Sequence, residues 1–327
     1  MSARPFIIAE LSANHLGRLE RAIALVAAAW DAGADAVKLQ TWSQMTIDGR
    51  TIDSGPWAGR GMRELYEEAR TPWGWHQPLF EAAANLGIEC FASAFDPESV
   101  DFLEGLGCPR YKVASFEITD VPLIRYIAQT SKPMIISTGM ATEREIAEAY
   151  AAADASGCTD ITLLKCTSAY PAKESNLLTM VDLARKYGRA GFSDHTIGIG
   201  APVAAAALGA VAIEKHLTLS RAAGGPDAGF SAEREEFKAM VTACREAAAA
   251  LGKVTYGPAA DEMVSLQFRR GLYFTRDLAA GAVIVHGDVR SYRPAAGLPP
   301  KDLPRIIGAK LCCNVSRGTP VTEGLIE

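Results

Sequence analysis

Most of the chain alternates between two kinds of apolar segment. Short runs rich in β-branched and aromatic residues are separated by longer Ala- and Leu-rich runs in which apolar positions recur every three or four residues. The short runs predict buried strands and the longer runs predict amphipathic helices. Eight strands are predicted, at residues 6–9, 36–40, 89–94, 110–114, 133–137, 161–166, 190–193 and 211–215.

The helical runs lie between these strands, so strand and helix alternate along the chain. They cover residues 19–32, 97–106, 121–130, 143–153, 177–187, 201–208 and 232–251. Eight such units over about 250 residues are typical of a (β/α)₈ TIM barrel, because each helix returns the chain to start a parallel strand. We therefore predict an α/β fold with a catalytic barrel over residues 1–255. Residues 40–68 interrupt the alternation of strand and helix. We expect a long loop there that shapes a substrate pocket at the end of the barrel.

The end of the chain has a different character. We predict a linker over residues 256–266 and a small β-rich domain over residues 267–327. Short apolar runs at 272–275 and 282–284 predict strands, and the turn residues at 293–294 and 318–320 follow them.

Composition and charge exclude several classes of protein. With 327 residues, 49% hydrophobic and 22% charged, the chain has ample apolar material for a folded core. The net charge of −5 and the lack of a Lys/Arg run argue against a nucleic-acid partner. The longest uncharged run, 196–213, contains three glycines and a proline, so we read a loop, a helix and a strand rather than a membrane span. Seven cysteines without CxxC spacing, and a start unlike a signal peptide, favour the cytoplasm.

Polar residues mark the ends of nearly all predicted strands. Active sites of (β/α)₈ barrels lie at the carboxyl ends of the strands, so a set of polar residues there predicts catalysis more strongly than any one of them. The set comprises Glu10, Asn14, His15, Lys38, Gln40, Ser93, Lys112, Ser115, Glu117, Ser137, Thr138, Lys165, Thr167, Tyr170, Ser193, Asp194, His195, Glu214 and His216.

Two histidines in this set lie at the carboxyl ends of adjacent predicted strands. His195 and His216 can therefore converge on one metal ion, with a Glu or Asp completing the ligands and open positions left for water and substrate. The alternative is a pair of structural histidines that bond backbone carbonyls.

Two lysines lie within apolar strands and must either reach solvent or meet an anion. Lys38 and Lys112 with neighbouring serine hydroxyls would form a cradle for phosphate and carboxylate groups. Alternatively, these lysines pair internally with Glu10, Glu117 or Glu214. A third lysine, Lys165, is a candidate for Schiff-base chemistry.

Six segments together resemble the sialic acid synthase family. They are IAELSANH at 8–15, VKLQ at 37–40, YKVAS at 111–115, ISTGM at 136–140, GFSDHT at 191–196 and IEKH at 213–216. The resemblance covers essentially the whole chain. The predicted C-terminal domain, residues 267–327, is similar to the antifreeze-like (SAF, β-clip) domain of that family. Within the family, residues 53–59, 65–69 and 71–76 resemble the pseudaminic acid synthases more than the N-acetylneuraminate or legionaminate enzymes.

The resemblance implies a transferase that condenses phosphoenolpyruvate with an open-chain amino-sugar aldehyde and releases phosphate. The implied sugar is 2,4-diacetamido-2,4,6-trideoxy-L-altrose; the N-acetylneuraminate and legionaminate reactions are the alternatives. His195 and His216 would hold a divalent ion, manganese first and magnesium or cobalt as alternatives, and Glu10 would be the catalytic carboxylate. Six residues match positions that bind phosphoenolpyruvate: Lys38, Ser93, Lys112, Ser115, Ser137 and Ser193.

The resemblance also implies a set of sugar contacts and a homodimer. Gln40, Tyr170 and Asp227 match sugar-side positions. Arg293 matches an arginine that reaches the partner subunit's site in a domain-swapped dimer, where it contacts an N-acetyl group. This chain has Ala295-Ala296 where the family often has Gly-Asn, which leaves the shape of that loop open.

Two readings of other classes compete with this one. The chain could be a non-catalytic carbohydrate- or ice-binding protein built around its last domain, in which Glu10, Lys112, His195 and His216 are dispensable. It could also be a Schiff-base aldolase that uses Lys165 on the same barrel. Trp57, Trp73 and Trp75 could supply apolar walls for a deoxy sugar or could be core and loop anchors.

Overall fold

A closed barrel of eight parallel strands forms the first part of the molecule. The computed structural model describes residues 4–327, and the chain divides into two compact units, Met1–Lys253 and Val254–Glu327. Neighbouring strands pair in chain order, and the last pairs with the first. The predicted (β/α)₈ barrel is confirmed. The strands are β1 (Phe6–Glu10), β2 (Ala36–Thr41), β3 (Glu89–Ala94), β4 (Tyr111–Val113), β5 (Met134–Ser137), β6 (Ile161–Cys166), β7 (Ala190–Asp194) and β8 (Ala212–Thr218).

Helices surround the barrel, and some of them begin at a side-chain cap. Asp96 accepts the Ser99 amide at 2.7 Å and Asp120 accepts the Leu123 amide at 3.1 Å, each with a proline in the first turn. The helices are α1 (Leu19–Asp31), α2 (Met62–Ala69), α3 (Trp73–Leu86), α4 (Pro97–Gly105), α5 (Val121–Ala128), α6 (Glu143–Ala155), α7 (Leu178–Tyr187), α8 (Gly200–Ala207) and α9 (Arg234–Ala250).

The strand register places polar residues side by side at one end of the barrel. Glu10 lies level with Lys38 on one neighbouring strand and with His216 on the other. Ser193 is level with Glu214 between β7 and β8. The two strands approach closely at Gly191, where a Cβ atom would lie 2.2 Å from the Ala212 carbonyl oxygen, so a side chain there would push β7 and β8 apart.

The segment between β2 and β3 differs from its prediction. Residues 40–68 were expected to form a loop, but helix α2 (Met62–Ala69) occupies the end of that segment and α3 (Trp73–Leu86) follows it. Only Leu65 of α2 is buried, so its apolar stripe is too narrow to stand out among charged neighbours. In α3, Gly74 and Pro78 hide the helical signal.

The second unit has a small core of its own. Strand β9 (Gly271–Phe274) pairs antiparallel with β10 (Val289–Tyr292), and a short helix, α10 (Leu303–Ile306), follows. The predicted strand at 282–284 is wrong: Val283 makes only an isolated bridge to Lys310. The residues predicted as a linker include the start of a 3₁₀ helix, Ala260–Phe268. The buried core consists of Leu272, Phe274, Leu278, Ile284, Val289, Ile306, Leu311, Val315 and Val321.

No helix over residues 4–327 is long and apolar enough to cross a membrane. The uncharged run at 196–213 becomes the loop after β7, the eight-residue helix α8 and the start of β8, as expected from its glycines and proline.

Candidate active site

A cavity of about 400 Å³ opens at the carboxyl ends of the strands. The predicted site residues of the barrel all line it: Glu10, Lys38, Gln40, Ser93, Lys112, Ser115, Tyr170, Ser137, Ser193, His195, His216 and Asp227. They come from all eight strands or the loops after them, so the barrel register brings together residues that are far apart in sequence. The predicted clustering at this face is therefore what the structure shows.

The deepest part of the cavity is a group of buried charged and hydroxyl side chains, called here the charged floor. Lys38 forms ion pairs with Glu10 and, at 3.7 Å, with Glu214, and donates to the Ser93 hydroxyl at 3.0 Å. Burial lowers the pKa of Lys38, but these carboxylates outweigh it and raise the pKa above its usual value. The internal pairing considered for the lysines is thus realised at Lys38. The floor comprises Glu10, Lys38, Ser93, Lys112, Ser115, Ser137, Ser193 and Glu214.

Lys112 is the exception within the charged floor. Its ammonium donates to the Val113 carbonyl at 3.1 Å and, among the described residues, has no carboxylate within ion-pair distance. Burial lowers the pKa of Lys112, and the charge of Glu214 offsets this effect only in part. The Ser137 hydroxyl and Glu214 Oε2 are also buried without a protein partner. A buried cation and an unpaired hydroxyl group in the same cavity are suited to bind an anion.

The two histidines of the site lie next to each other, with ring centroids 5.4 Å apart. His195 Nδ1 donates to the Thr167 carbonyl at 3.0 Å, which leaves Nε2 as the nitrogen with a lone pair. Burial holds the pKa of His216 well below its usual value, so this ring is neutral. The His216 ring is therefore in the form that ligates metals. Burial lowers the pKa of His195, but its contact with Cys166 outweighs burial and raises the pKa, so a metal ion at Nε2 would have to displace a proton.

Residues 4–327 hold no group of three or more His, Cys, Asp or Glu side chains arranged around one metal position. The expected third protein ligand is thus not supplied by a Glu or Asp. The two histidines still fit a divalent ion, provided that water and substrate oxygens fill its remaining positions, as in open catalytic sites.

The sugar-side residues adjoin the charged floor. Gln40 donates its amide to Glu10 Oε1 at 3.3 Å, and Asp227 is bonded to the Ser12 hydroxyl. Burial raises the pKa of Asp227. Tyr170 packs on His195, with ring centroids 4.4 Å apart. This side of the cavity thus presents hydrogen-bonding groups directly beside the two histidines.

The outer wall of the cavity is apolar and is called here the apolar rim. Trp57 donates its indole N–H to the Pro226 carbonyl at 2.8 Å and packs against Tyr170. Most of the rim comes from the segment between β2 and α3. Its members are Trp42, Met45, Ile52, Trp57, Met62, Leu65, Tyr66, Phe95 and Phe116.

The three tryptophans proposed as apolar walls have different positions. Only Trp57 lines the cavity. Trp73 stacks on Phe102 with ring centroids 4.4 Å apart, and Trp75 packs edge-on against His15. These two are core and loop anchors.

The cavity is also lined by polar residues to which the sequence assigned no site role. They are Ser12, Ser54, Glu117, Cys166 and Glu214. Burial, partly offset by the Lys112 charge, raises the pKa of Glu117 to about 7, and its Oε2 has no partner. Cys166 is also buried, which opposes ionisation, but a hydrogen bond to His195 lowers its pKa to about 7. Glu117 and Glu214 carried the strand-end signal but were weighed only as lysine partners.

Two residues with predicted roles lie outside the cavity of the barrel. Lys165 Nζ donates to the Cys166 carbonyl at 2.5 Å and does not line the cavity. Its strand neighbour Cys166 faces inward, so Lys165 faces away. Lys165 is therefore not placed to act as the nucleophile that the Schiff-base aldolase hypothesis requires. Arg293 belongs to the second unit and is exposed, and its contact with a sugar stays a prediction.

Family models match nearly the whole chain. The model described as the NeuB family matches residues 25–256, and the model described as the SAF domain matches residues 269–327. The chain belongs to the NeuB family. It is therefore an enzyme of the predicted class, a transferase that forms a carbon–carbon bond from phosphoenolpyruvate, and it carries the predicted antifreeze-like domain. The non-catalytic reading is wrong.

Individual NeuB relatives agree with this membership. The chain is 42% identical to the pseudaminic acid synthase of Campylobacter jejuni strain 81-176 over 97% of this chain and 95% of that one. It is 38% identical to the N,N'-diacetyllegionaminic acid synthase of Legionella pneumophila over 98% and 94%. The crystal structure of the N-acetylneuraminic acid synthetase of Leptospira borgpetersenii matches with a TM-score of 0.74 at 31% identity, over 81% and 91%.

Proposed function

We propose that the protein is a pseudaminic acid synthase that condenses phosphoenolpyruvate with 2,4-diacetamido-2,4,6-trideoxy-L-altrose. In this reaction C3 of phosphoenolpyruvate bonds to the aldehyde carbon of the open-chain sugar. Water adds to C2, and the bond between C2 and the phosphate oxygen breaks to release inorganic phosphate. The similarity to the Campylobacter pseudaminic acid synthase supports this choice of sugar.

The observation that carries the proposal is the uncompensated buried ammonium of Lys112. Phosphoenolpyruvate brings a phosphate and a carboxylate, and either group would give Lys112 the anionic partner that the protein does not provide. The hydroxyls of Ser93, Ser115, Ser137 and Ser193 line the same cavity as donors for the remaining oxygens. Lys38, already paired with Glu10, would contribute the second positive charge.

Glu10 is the proposed proton-transfer residue. Its carboxylate lies beside the sugar-side amide of Gln40 and is ion-paired to Lys38. Burial raises the pKa of Glu10, which brings the carboxyl closer to the range in which it accepts and returns a proton near neutral pH. In this position Glu10 would exchange a proton with the water that adds to C2.

His195 and His216 are the proposed ligands of a divalent ion, with manganese favoured. When bound, such an ion would polarise the aldehyde oxygen and stabilise the charge that develops there. The neutral His216 ring and the free Nε2 of His195 support this assignment. We expect His216→Ala to lower the manganese retained after dialysis, measured by metal analysis of the purified protein. Undiminished manganese in this variant would contradict the assignment.

The apolar rim supports a deoxy sugar. The proposed substrate has a methyl group at C6 where N-acetylmannosamine has a hydroxymethyl group. Met62, Leu65 and Ile52 line the cavity without offering a side-chain hydrogen-bond partner for a C6 hydroxyl. A sugar lacking that hydroxyl would therefore bind without leaving a hydroxyl group unpaired against an apolar wall.

We further propose a cytoplasmic homodimer in which Arg293 contacts the sugar bound by the partner subunit. The seven free thiols support a reducing compartment. The exposed aromatic and aliphatic side chains of Tyr256, Val264 and Phe268 support burial against a second copy. Sedimentation analysis of the purified chain tests the stoichiometry.

Phosphate release with purified protein, manganese and phosphoenolpyruvate tests the reaction. The trideoxy sugar, the legionaminate precursor and N-acetylmannosamine should be supplied in parallel. We expect the highest kcat/KM with 2,4-diacetamido-2,4,6-trideoxy-L-altrose. The legionaminate precursor is the second candidate, because the Legionella synthase is nearly as similar to this chain. A preference for that sugar would change the substrate and leave the reaction class intact.

A further inference from the structure

Ser12 occupies an unusual backbone position between the charged floor and the sugar-side residues. Its φ angle of 41° lies in the left-handed region, which costs a residue with a Cβ atom more than it costs glycine. The residue is buried, with 4% of its surface exposed, and it lines the cavity. A serine kept in this conformation, where glycine would be unstrained, indicates that the hydroxyl group has a use.

Both the backbone and the side chain of Ser12 contact site residues. The Ser12 amide donates to Glu10 Oε1 at 2.9 Å. The Ser12 hydroxyl accepts from Gln40 Nε2 at 3.0 Å and donates to Asp227 Oδ2. The Ala13 amide donates to the same Asp227 oxygen at 3.3 Å. One residue therefore joins the catalytic carboxylate to two sugar-side groups.

The direction of these hydrogen bonds fixes which atoms remain free for a ligand. Both acceptors of the Gln40 nitrogen, Glu10 Oε1 and Ser12 Oγ, require the amide nitrogen rather than its oxygen to face them. Gln40 Oε1 and Asp227 Oδ1 have no hydrogen-bond partner elsewhere in the described part of the chain. Two acceptor oxygens are thus left to receive hydroxyl or amide protons from a sugar.

We infer that Ser12 is a positioning residue that holds the sugar-binding side chains Gln40 and Asp227 in register with the catalytic carboxylate of Glu10. The inference rests on the proposed function, in which Gln40 and Asp227 face the sugar. Without the hydroxyl, the Gln40 amide keeps only its longer contact with Glu10, and Asp227 Oδ2 keeps only the Ala13 amide. Both side chains would then adopt several orientations, and the sugar would have to select one.

Two substitutions separate this role from backbone strain. Ser12→Ala removes the hydroxyl and keeps the strained φ, whereas Ser12→Gly removes the hydroxyl and relieves the strain. We expect both variants to raise the sugar KM about ten-fold, the cost of one hydrogen bond to a charged group, while the phosphoenolpyruvate KM changes less than about two-fold. We also expect Ser12→Gly to have the higher Tm of the two.

Ser99→Ala is the matched control, because it removes another buried serine hydroxyl that bonds an aspartate outside the cavity. It should lower Tm without changing the sugar KM. An unchanged sugar KM in both Ser12 variants would overturn the inference. So would a parallel rise in both substrate constants that follows the loss of Tm, since that pattern indicates a structural role only.

The readouts keep this inference separate from the proposed function. Phosphate release by the unaltered protein tests the reaction, and the variants are compared using whichever amino sugar it turns over fastest. A crystal structure of Ser12→Gly needs no substrate: we expect the Gln40 amide to leave its position between Glu10 and residue 12. An unmoved, well-ordered Gln40 and Asp227 would contradict the inference even if the reaction were established.

Discussion

The charged floor and the apolar rim of the cavity are built in different ways. The floor is carried by strand ends whose positions are fixed by the barrel register, and its members are nearly all buried. Most of the rim comes from the segment between β2 and α3, and the rim as a whole includes a side chain as exposed as Phe116. We propose that the floor performs the chemistry common to the NeuB family, whereas the rim adapts one member to its sugar.

Loss of the Glu10 carboxylate of the floor should have the largest effect on turnover. Glu10→Gln keeps the shape of the side chain but removes its ability to take up a proton, so we expect kcat to fall about 10³-fold with every amino sugar. Glu89→Gln is the matched control, because Glu89 lies at the start of β3, at the other end of the strand from Ser93. Steady-state phosphate release measures both. A kcat of Glu10→Gln within about ten-fold of the unaltered enzyme would remove Glu10 from the chemistry.

The next largest effect should come from the unpaired cation of the floor. Lys112→Met is expected to raise the phosphoenolpyruvate KM about 10²-fold, because a charge-assisted contact to the anion is lost. The sugar KM should change little. Lys165→Met, which alters a lysine outside the cavity, should leave both constants unchanged. If the two lysine variants behaved alike, Lys112 would not be an anion ligand.

The rim should affect the sugar and not phosphoenolpyruvate. Trp57→Leu removes the contact with Tyr170 and the hydrogen bond to the Pro226 carbonyl, so we expect the sugar KM to rise about ten-fold. Trp73→Leu, at an aromatic anchor outside the cavity, should lower Tm and spare the sugar KM. The KM values for the sugar and for phosphoenolpyruvate, measured in both variants, show whether the rim acts on the sugar alone. A rise in the phosphoenolpyruvate KM of Trp57→Leu would contradict the assignment of phosphoenolpyruvate to the floor and of the sugar to the rim.

The smallest expected effect concerns pH. The pKa of Glu117 is about 7, so this carboxyl is neutral below that pH and negatively charged above it. A charge beside Lys112 competes with the anionic substrate, and we expect the phosphoenolpyruvate KM to rise a few-fold from about pH 6 to about pH 8. Glu117→Gln should flatten this rise, and the variant also corrects for the titration of phosphoenolpyruvate itself. Identical pH profiles would show that Glu117 does not ionise in this range.

The charged floor was largely predictable from the sequence. Apolar strand periodicity located Glu10, Lys112 and His195 at strand ends, and the geometry of a parallel barrel places all strand ends at one face. Periodicity also explains the miss at Lys165, because a one-residue difference in position reverses the face to which a strand side chain points. The bounds predicted for this strand, 161–166, match those observed, but sequence spacing alone does not show which of its two faces points into the barrel.

The apolar rim was not predictable to the same degree. Ile52 and Met62 lie in a segment without regular periodicity, so nothing in the sequence shows that they face the cavity. The role inferred for Ser12 depends on a φ angle and on hydrogen bonds to residues far along the chain, neither of which is written in local sequence. Contacts between distant loops are the part of a site that only the folded structure provides.

The central claim is that a common phosphoenolpyruvate floor is combined with a rim suited to a 6-deoxy sugar. The most direct measurement is kcat/KM of the unaltered enzyme for 2,4-diacetamido-2,4,6-trideoxy-L-altrose and for N-acetylmannosamine, each with saturating phosphoenolpyruvate and manganese. We predict a preference for the trideoxy sugar of at least about ten-fold, the cost of placing a hydroxyl against an apolar wall. Equal or better turnover of N-acetylmannosamine would contradict the account.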